Sequence, residues 1–247
     1  MSTLFGIIGY PLGHTFSPAY FNNKFAIKKI DAEYKSFPIA DIHDFISLLK
    51  ENPSIRGLSV TIPYKEAIIA FLDQLDGVAE KVGAVNCISI KNGVRKGYNT
   101  DIIGFRDSLL PLLKNSHRSA LILGTGGASR AVAYVLDELG IAYKFVTRKQ
   151  QALGQGGLLC YEQLTIDDID RHKLIINTTP LGMYPNESVC ADIPYDGIGN
   201  EHLLYDLIYN PEETKFMMLG KLSGAVTKNG LEMLHLQAEA AWDIWNS

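Results

Sequence analysis

The sequence predicts an α/β fold: two domains, each built around a mostly parallel sheet. Three observations carry this expectation. Short apolar runs alternate with helical patterns, which implies parallel strands joined by helical crossovers. The alternation breaks once, near residue 90, at a hairpin signal, and then restarts as a second series. The length, 247 residues, fits one large domain or two modest ones at about 150 residues per domain, and two consecutive series favour two.

The elements follow in order. Residues 4 to 8 (LFGII) form an apolar run ending at Gly9. Ser17-Pro18 then reads as an N-cap followed by a proline at the first helical position. Alternation from Ala32 to Phe37 predicts a strand, and Ile42, Phe45, Ile46 and Leu49 share one face of a helix from Asp41 to Lys50. Ile55 to Val60 is a third strand, and Pro63 opens a helix expected to run through Leu72. Ala84 to Ile90 and Val94 to Tyr98 flank Lys91-Asn92-Gly93, where glycine can take positive φ in a hairpin turn. Thr100 or Asp101 caps a helix to about Leu113.

The second series starts with a strand at Ser119 to Leu123, a glycine loop at 124 to 127, a helix to about Leu139 and a strand at Tyr143 to Val146. Leu174 to Ile176 and Leu203 to Leu207 read as buried strands. Glu212 to Leu222 and Leu231 to Trp245 read as helices.

Composition excludes several classes. Hydrophobic residues at 47%, charged residues at 20% and aromatics at 10% are ordinary for a globular protein, which removes disordered and fibrous readings. With 23 basic and 27 acidic residues the net charge is -4, so no excess of positive charge points to nucleic acid or an anionic membrane. Cys87, Cys160 and Cys190 are widely spaced and form no zinc pattern; no metal is expected, and a reduced cytoplasmic location fits. Gly9, Pro11, His14 and Pro18 interrupt the uncharged N-terminal stretch, so neither a signal peptide nor a membrane span is read there.

Gly124-Thr125-Gly126-Gly127-Ala128-Ser129-Arg130 lies between a short strand and an amphipathic helix. That is the setting of a dinucleotide-binding turn, in which glycines admit a pyrophosphate and the helix N-terminus offers free N–H groups. The alternative is a tight turn without a ligand, since serine at 129 leaves the G-x-G-x-x-G pattern incomplete. The next strand ends in Thr147-Arg148-Lys149. An acid there would pair with the ribose hydroxyl of NAD, whereas cations favour the extra phosphate of NADP. Arg130 could add a third cation.

The first series offers a second site. Thr15 and Ser17 place two hydroxyls at or near a helix N-terminus, able to receive a carboxylate without a buried cation, although Ser17 taken by itself reads first as a plain cap. Thr61, Lys65, Asn86 and Asp101 fall at strand ends or the adjoining helix starts, where ligands of parallel sheets sit. Taken alone, Lys65 is an ordinary surface lysine. With Asp101 it forms the kind of pair that moves a proton to or from an alcohol. His14 reads as a loop histidine, Trp242 and Trp245 as packing residues, and Asp167, Asp168 and Asp170 as a solvated helix start.

Taken together, these segments resemble the shikimate dehydrogenase family over nearly the whole chain. The landmarks stand in order as Gly9 to Pro18, Ser59 to Lys65, Gly83-Ala-Val-Asn86, Asn99-Thr-Asp101 and Gly124 to Arg130. After them come Asn177-Thr-Thr-Pro180-Leu-Gly182-Met, Tyr205-Asp-Leu-Ile-Tyr209-Asn-Pro211 and Gly230-Leu-Glu-Met-Leu-His-Leu-Gln237-Ala.

The resemblance implies reversible NADPH-dependent reduction of 3-dehydroshikimate to shikimate, on the way to chorismate and the aromatic amino acids. It implies a substrate domain of residues 1–101 and 231–247, with the C-terminal helix returning to it, and a Rossmann-like NADP domain of residues 102–230. Thr15, Ser17 and Tyr209 would hold the substrate carboxylate. Thr61, Asn86 and Gln237 would bind ring hydroxyls, and Lys65 and Asp101 would address the reacting oxygen. NADP(H) would contact Gly124 to Ala128, Arg130, Thr147, Arg148, Lys149, Leu207 and Gly230. The partner is a small molecule alone, and the protein a monomer or homodimer.

Some positions depart from the family pattern. Thr15 replaces serine, Ser59 replaces an asparagine and could loosen the loop carrying Lys65, and residues 150–157 lack the helix expected after the strand, which would open the adenosine side. A quinate-accepting or NAD-using relative, and an inactive nucleotide-binding regulator, are the alternatives; the intact Lys65, Asp101 and Gln237 argue against the second.

Overall fold

The structure, a computed structural model, describes residues 2–13, 16–148 and 158–247. The chain divides into two compact units, Met1–Thr100 with Ala238–Ser247, and Asp101–Gln237. Thr15, Lys149, His14 and the segment 150–157 lie outside the described residues.

The first unit holds β1 (Thr3–Gly9), α1 (Phe16–Lys28), β2 (Ala32–Pro38), α2 (Phe45–Glu51), β3 (Ile55–Val60), β4 (Gln74–Leu75), α3 (Gly77–Val82), β5 (Cys87–Lys91) and β6 (Val94–Tyr98). Its sheet order is β2-β1-β3-β5-β6-β4. β2, β1 and β3 are parallel, and β5 pairs antiparallel with both β3 and β6. The hairpin turn between β5 and β6 has Asn92 at φ 52° and Gly93 at φ 80°, the two left-handed residues that a tight hairpin needs. Apolar side chains bury both faces. Leu4, Ile8, Phe45, Leu58 and Ile88 lie in one cluster, and Phe5, Phe21, Phe25 and Tyr34 in another with Ala238, Ala241 and Trp245. Trp245 donates its indole N–H to the Ile88 carbonyl at 3.0 Å, so it packs as expected.

The second unit begins with α4 (Asp101–Leu109) and continues through β7 (Ser119–Leu123), α5 (Gly127–Glu138), β8 (Ala142–Thr147), β9 (Leu158–Cys160), α6 (Ile166–Arg171), β10 (Leu174–Asn177), β11 (Leu203–Asp206), α7 (Lys215–Leu222) and β12 (Val226–Lys228). The last helix, α8 (Leu231–Asn246), crosses the division between Gln237 and Ala238. The sheet is parallel throughout, in the order β12-β11-β10-β7-β8-β9. The fold class is therefore the expected one.

Three expectations need correction. Residues 63 to 72 form turns and a short 3-10 helix, Ala67–Phe71, instead of an α-helix. The reason is a tertiary contact: the Lys65 carbonyl accepts from Val85 N–H at 2.7 Å, and Ile69 N–H turns to Glu66 instead. Ser17 is not the cap of α1, because the helix already includes Phe16. The helix expected from Glu212 starts at Lys215, where Thr214 accepts from Met217 N–H at 3.3 Å and caps it.

Candidate active site

In the first unit, three segments are laced together at the carboxyl ends of β1 and β3. Thr61 N–H donates to the Ile8 carbonyl at 2.9 Å, Tyr10 N–H to Ile62 at 3.1 Å and Val60 N–H to Asn86 at 2.8 Å. Gly9 permits this closeness, since a methyl group there would lie 2.5 Å from the Thr61 side chain. Thr61 and Lys65 are half-buried, and Ser17 and Asn86 are buried. The structure thus gathers Thr61, Lys65 and Asn86 on adjoining turns.

Asn86 grips Thr100 through both ends of its amide: Oδ1 accepts from Thr100 N–H at 2.7 Å, and Nδ2 donates to the Thr100 hydroxyl at 3.0 Å. Asn99 is visible in the sequence only as part of a family landmark, with no role assigned to it; its amide, 6% exposed, donates to the Ala84 carbonyl at 2.9 Å. The same Ala84–Val85 peptide donates its N–H to Lys65, so one peptide unit is held at both ends and fixes the backbone beneath the lysine. Ser59, expected to loosen this region, instead accepts a hydrogen bond from the buried Tyr34 hydroxyl at 2.8 Å.

In the second unit, the strand order reverses direction between β7 and β10, the switch point at which parallel sheets bind ligands. Gly124 sits there at φ 111°, and a methyl group on it would lie 2.7 Å from the Thr178 hydroxyl. Thr178 donates both its N–H, at 3.0 Å, and its hydroxyl, at 2.6 Å, to the Leu123 carbonyl. Thr178 is thus a site-lining residue that the glycine pattern alone does not reveal. Its neighbour Asn177 is visible in the sequence only as part of a family landmark.

Gly126 precedes α5 with no side chain capping the helix, and a methyl group on Gly126 would meet nothing within 4 Å. The cradle therefore has room for a pyrophosphate against free N–H groups. Ser129, the departure from the glycine pattern, is buried and turns its hydroxyl back to the Gly126 carbonyl. It closes the turn from within and leaves the ligand face clear. Thr147 ends β8 in a buried position, with Arg148 exposed beside it. Arg130 is exposed on the first turn of α5.

The far side of the switch point is organised by Asp206, which is fully buried. Its carboxylate accepts from Asn177 Nδ2 at 3.0 Å, Ile208 N–H at 3.1 Å and the Thr214 hydroxyl at 2.7 Å. Burial pushes its pKa up to about 6, although those three donors pull the other way. The network fixes the turn bearing Leu207 and Tyr209. Gly230 N–H donates to the Ile208 carbonyl at 2.9 Å, and a methyl group on Gly230 would strike the Leu207 carbonyl at 2.0 Å. Leu207 and Gly230 are therefore brought together.

Asp101 opens α4 as a buried acid in its first turn, where the helix dipole favours negative charge. Gln237 lies against the same helix, its Cβ 3.1 Å from where a methyl group on Gly104 would sit. Two of the expected site residues thus stand on the packed helices α4 and α8 of this unit.

Residues 7–88 match the family model described as the shikimate dehydrogenase substrate binding domain. The chain is 37% identical to the shikimate dehydrogenase (NADP(+)) of Methanosphaera stadtmanae, an alignment covering 97% of this chain and 90% of that protein. The chain belongs to the shikimate dehydrogenase family. A crystal structure of a family member from Thermus thermophilus, in complex with NADP(H) and shikimate, matches with a TM-score of 0.86 at 31% identity, covering 98% of this chain and 93% of that one. Quinate dehydrogenase from Corynebacterium glutamicum, in complex with NAD, matches with a TM-score of 0.85 at 25% identity over 99% of this chain and 93% of its own. Family membership agrees with the ordered motifs and with the glycine cradle at the switch point. Among the described residues, no helix is long and apolar enough to cross a membrane.

Proposed function

We propose that this chain catalyses the reversible NADP-dependent interconversion of shikimate and 3-dehydroshikimate, as an oxidoreductase of the aromatic amino-acid route through chorismate. The observation that carries the proposal is the glycine cradle at Gly124 to Gly127, on a chain 37% identical to a relative named as an NADP(+) shikimate dehydrogenase. Residues 1–101 and 231–247 serve the substrate, and 102–230 serve the cofactor. The protein works in the cytoplasm as a monomer or homodimer on small molecules.

NADP(H), when bound, supplies or accepts the hydride. The chain's own residues bind, orient and move the proton. Gly124, Thr125, Gly126, Gly127 and Ala128 hold the pyrophosphate on backbone N–H groups. Arg148, with Arg130, Thr147 and Lys149, receives the adenosine phosphate, a fit supported by the lack of any acid at the end of β8. Leu207 and Gly230 bound the nicotinamide side. Thr15, Ser17 and Tyr209 hold the substrate carboxylate, and Thr61, Asn86 and Gln237 its ring hydroxyls. Lys65 and Asp101 act on the reacting oxygen, donating a proton as the carbonyl becomes an alcohol and removing it in the reverse direction.

Lys65→Ala tests the assignment. Loss of a general acid costs about a hundredfold or more in turnover, so kcat with 3-dehydroshikimate and NADPH should fall at least that far while the protein stays folded. Near-native turnover in this variant would remove Lys65 from the chemistry.

A further inference from the structure

Residues 83–86 lie between α3, which Gly83 closes at φ 66°, and β5, which begins at Cys87. Their backbone groups belong to neither element, yet buried backbone groups need partners. Those partners come from other segments. Val85 N–H donates to the Lys65 carbonyl at 2.7 Å, Asn86 N–H to the Tyr98 carbonyl at 3.1 Å, and the Asn86 carbonyl accepts from Val60 N–H at 2.8 Å. The Ala84 carbonyl is met by a side chain, Asn99 Nδ2, at 2.9 Å. The lacing is reciprocal: Asn86 grips Thr100 with its amide, and Asn99 grips Ala84 with its own.

The Ala84 carbonyl and the Val85 N–H belong to one planar peptide unit, so neither can turn without the other. Asn99, by fixing the carbonyl, fixes the direction of the N–H that holds Lys65. The unit has little freedom otherwise, since Ala84 and Val85 are fully buried and a methyl group on Gly97 would lie 2.8 Å from the Val85 side chain. Asn99 Oδ1 is buried and has no hydrogen-bond partner among the described residues. Packing alone would favour leucine, which has the same branched shape and no unsatisfied acceptor. What accounts for asparagine here is therefore its donor, and the donor acts on the peptide that holds the lysine.

We propose that Asn99 is a positioning residue for the chemical step: its amide orients the Ala84–Val85 peptide, which fixes the backbone of Lys65 and so places the lysine side chain for proton transfer. The inference rests on the reading above that Lys65 acts on the reacting oxygen, and it adds a residue that acts on that step through the backbone.

The test is Asn99→Leu, which removes the donor and the unsatisfied acceptor together. Their effects on stability oppose each other, so a purely structural role predicts near-native turnover of the folded protein. Positioning predicts a fall in kcat of about tenfold or more, since misplacing a reacting group by about 1 Å costs about a hundredfold. The solvent deuterium isotope effect on kcat should rise, because proton transfer is the step slowed. KM for NADP+, and its Kd measured by fluorescence titration, should stay within about twofold, because ground-state cofactor binding is untouched. In a Lys65→Ala background, Asn99→Leu should cost less than about twofold further, since residues that act as a unit are not additive.

A folded Asn99→Leu variant with kcat within about twofold of wild type overturns the proposal and leaves Asn99 a structural residue. So does a full multiplicative loss on top of Lys65→Ala. If Asn99→Leu does not fold, Asn99→Ala is judged by the same two results. Near-native turnover in Lys65→Ala would overturn the reading of Lys65 and this inference with it, whereas loss in Lys65→Ala with native kcat in Asn99→Leu overturns the inference alone.

Discussion

At the scale of single residues, the site is held by polar groups whose partners lie far away in sequence. Asp206 is the strongest case. Its pKa of about 6 in the fold exceeds the unfolded value of about 3.9, so the folded state binds a proton that the unfolded state has already released. Stability contributed by that proton is fully present below about pH 4 and is lost as pH rises to about 6, an effect on the order of 3 kcal/mol. Asp206→Asn removes the titration. Urea unfolding at stepped pH should show wild type losing stability relative to this variant between about pH 4 and 6 and no further change above. Parallel curves across that window would place the carboxylate pKa elsewhere. Neither Asp206 nor Asn99 is legible as an organiser in the sequence, because the partners that give each its role, Asn177 for Asp206 and the Ala84 carbonyl for Asn99, are brought to it only by the fold. Ser129 shows the reverse: in the sequence it is a defect in the glycine pattern, and only its inward turn to Gly126 shows that the ligand face is unaffected.

At the scale of elements, most strands and helices of the fold are visible in the periodicity, since one-sided burial writes itself into the sequence. β3 falls at Ile55–Val60 as expected, and the hairpin sits on Asn92-Gly93. The failed helix at 63 to 72 shows where local pattern stops deciding, because a tertiary hydrogen bond to Lys65 diverts the carbonyl that an α-helix would need. α3 escapes the pattern although it carries both signals, an Asp76 side chain accepting from Val78 N–H at 3.1 Å and Gly83 at φ 66° closing it; at six residues it is too short for periodicity to show. The α4 and α8 contact gives a prediction at this scale. Gly104→Ala gains about 1 kcal/mol of helix propensity, but its methyl group would lie 2.5 Å from the Met233 carbonyl. A backbone carbonyl cannot swing aside, and overpacking of this kind costs about 1–3 kcal/mol. Thermal unfolding should therefore come at a lower temperature, with a raised KM for shikimate as Gln237 is displaced. A variant as stable as wild type would mean that the helices part freely.

At the scale of the whole molecule, the net charge of -4 sits awkwardly with an acidic substrate and a phosphorylated cofactor. The two units meet the difficulty differently. In the proposed assignment the carboxylate would meet buried hydroxyls such as Ser17, whereas the cofactor phosphate would meet exposed cations, Arg130 and Arg148. Salt separates the two. Raising ionic strength from about 0.01 M to about 0.15 M shortens screening from about 30 Å to about 8 Å, so KM for NADP+ should climb about threefold or more while that for shikimate moves less than about twofold. Equal responses would argue that the carboxylate also meets an exposed cation. The division of the chain, with the end of α8 joining the first unit, cannot come from periodicity, because a helix reads the same whichever body it packs on. Only the ordered motifs of the resemblance suggest it.

The most direct experiment is the simplest: purified protein, shikimate and NADP+, with the appearance of reduced nicotinamide followed over time and the pairings with NAD+ and with quinate run alongside. Turnover with shikimate and NADP+, at a kcat/KM about tenfold or more above that with NAD+, is the predicted result. Failure to form reduced nicotinamide with any of the four pairings would contradict the assignment of this chain as a dehydrogenase.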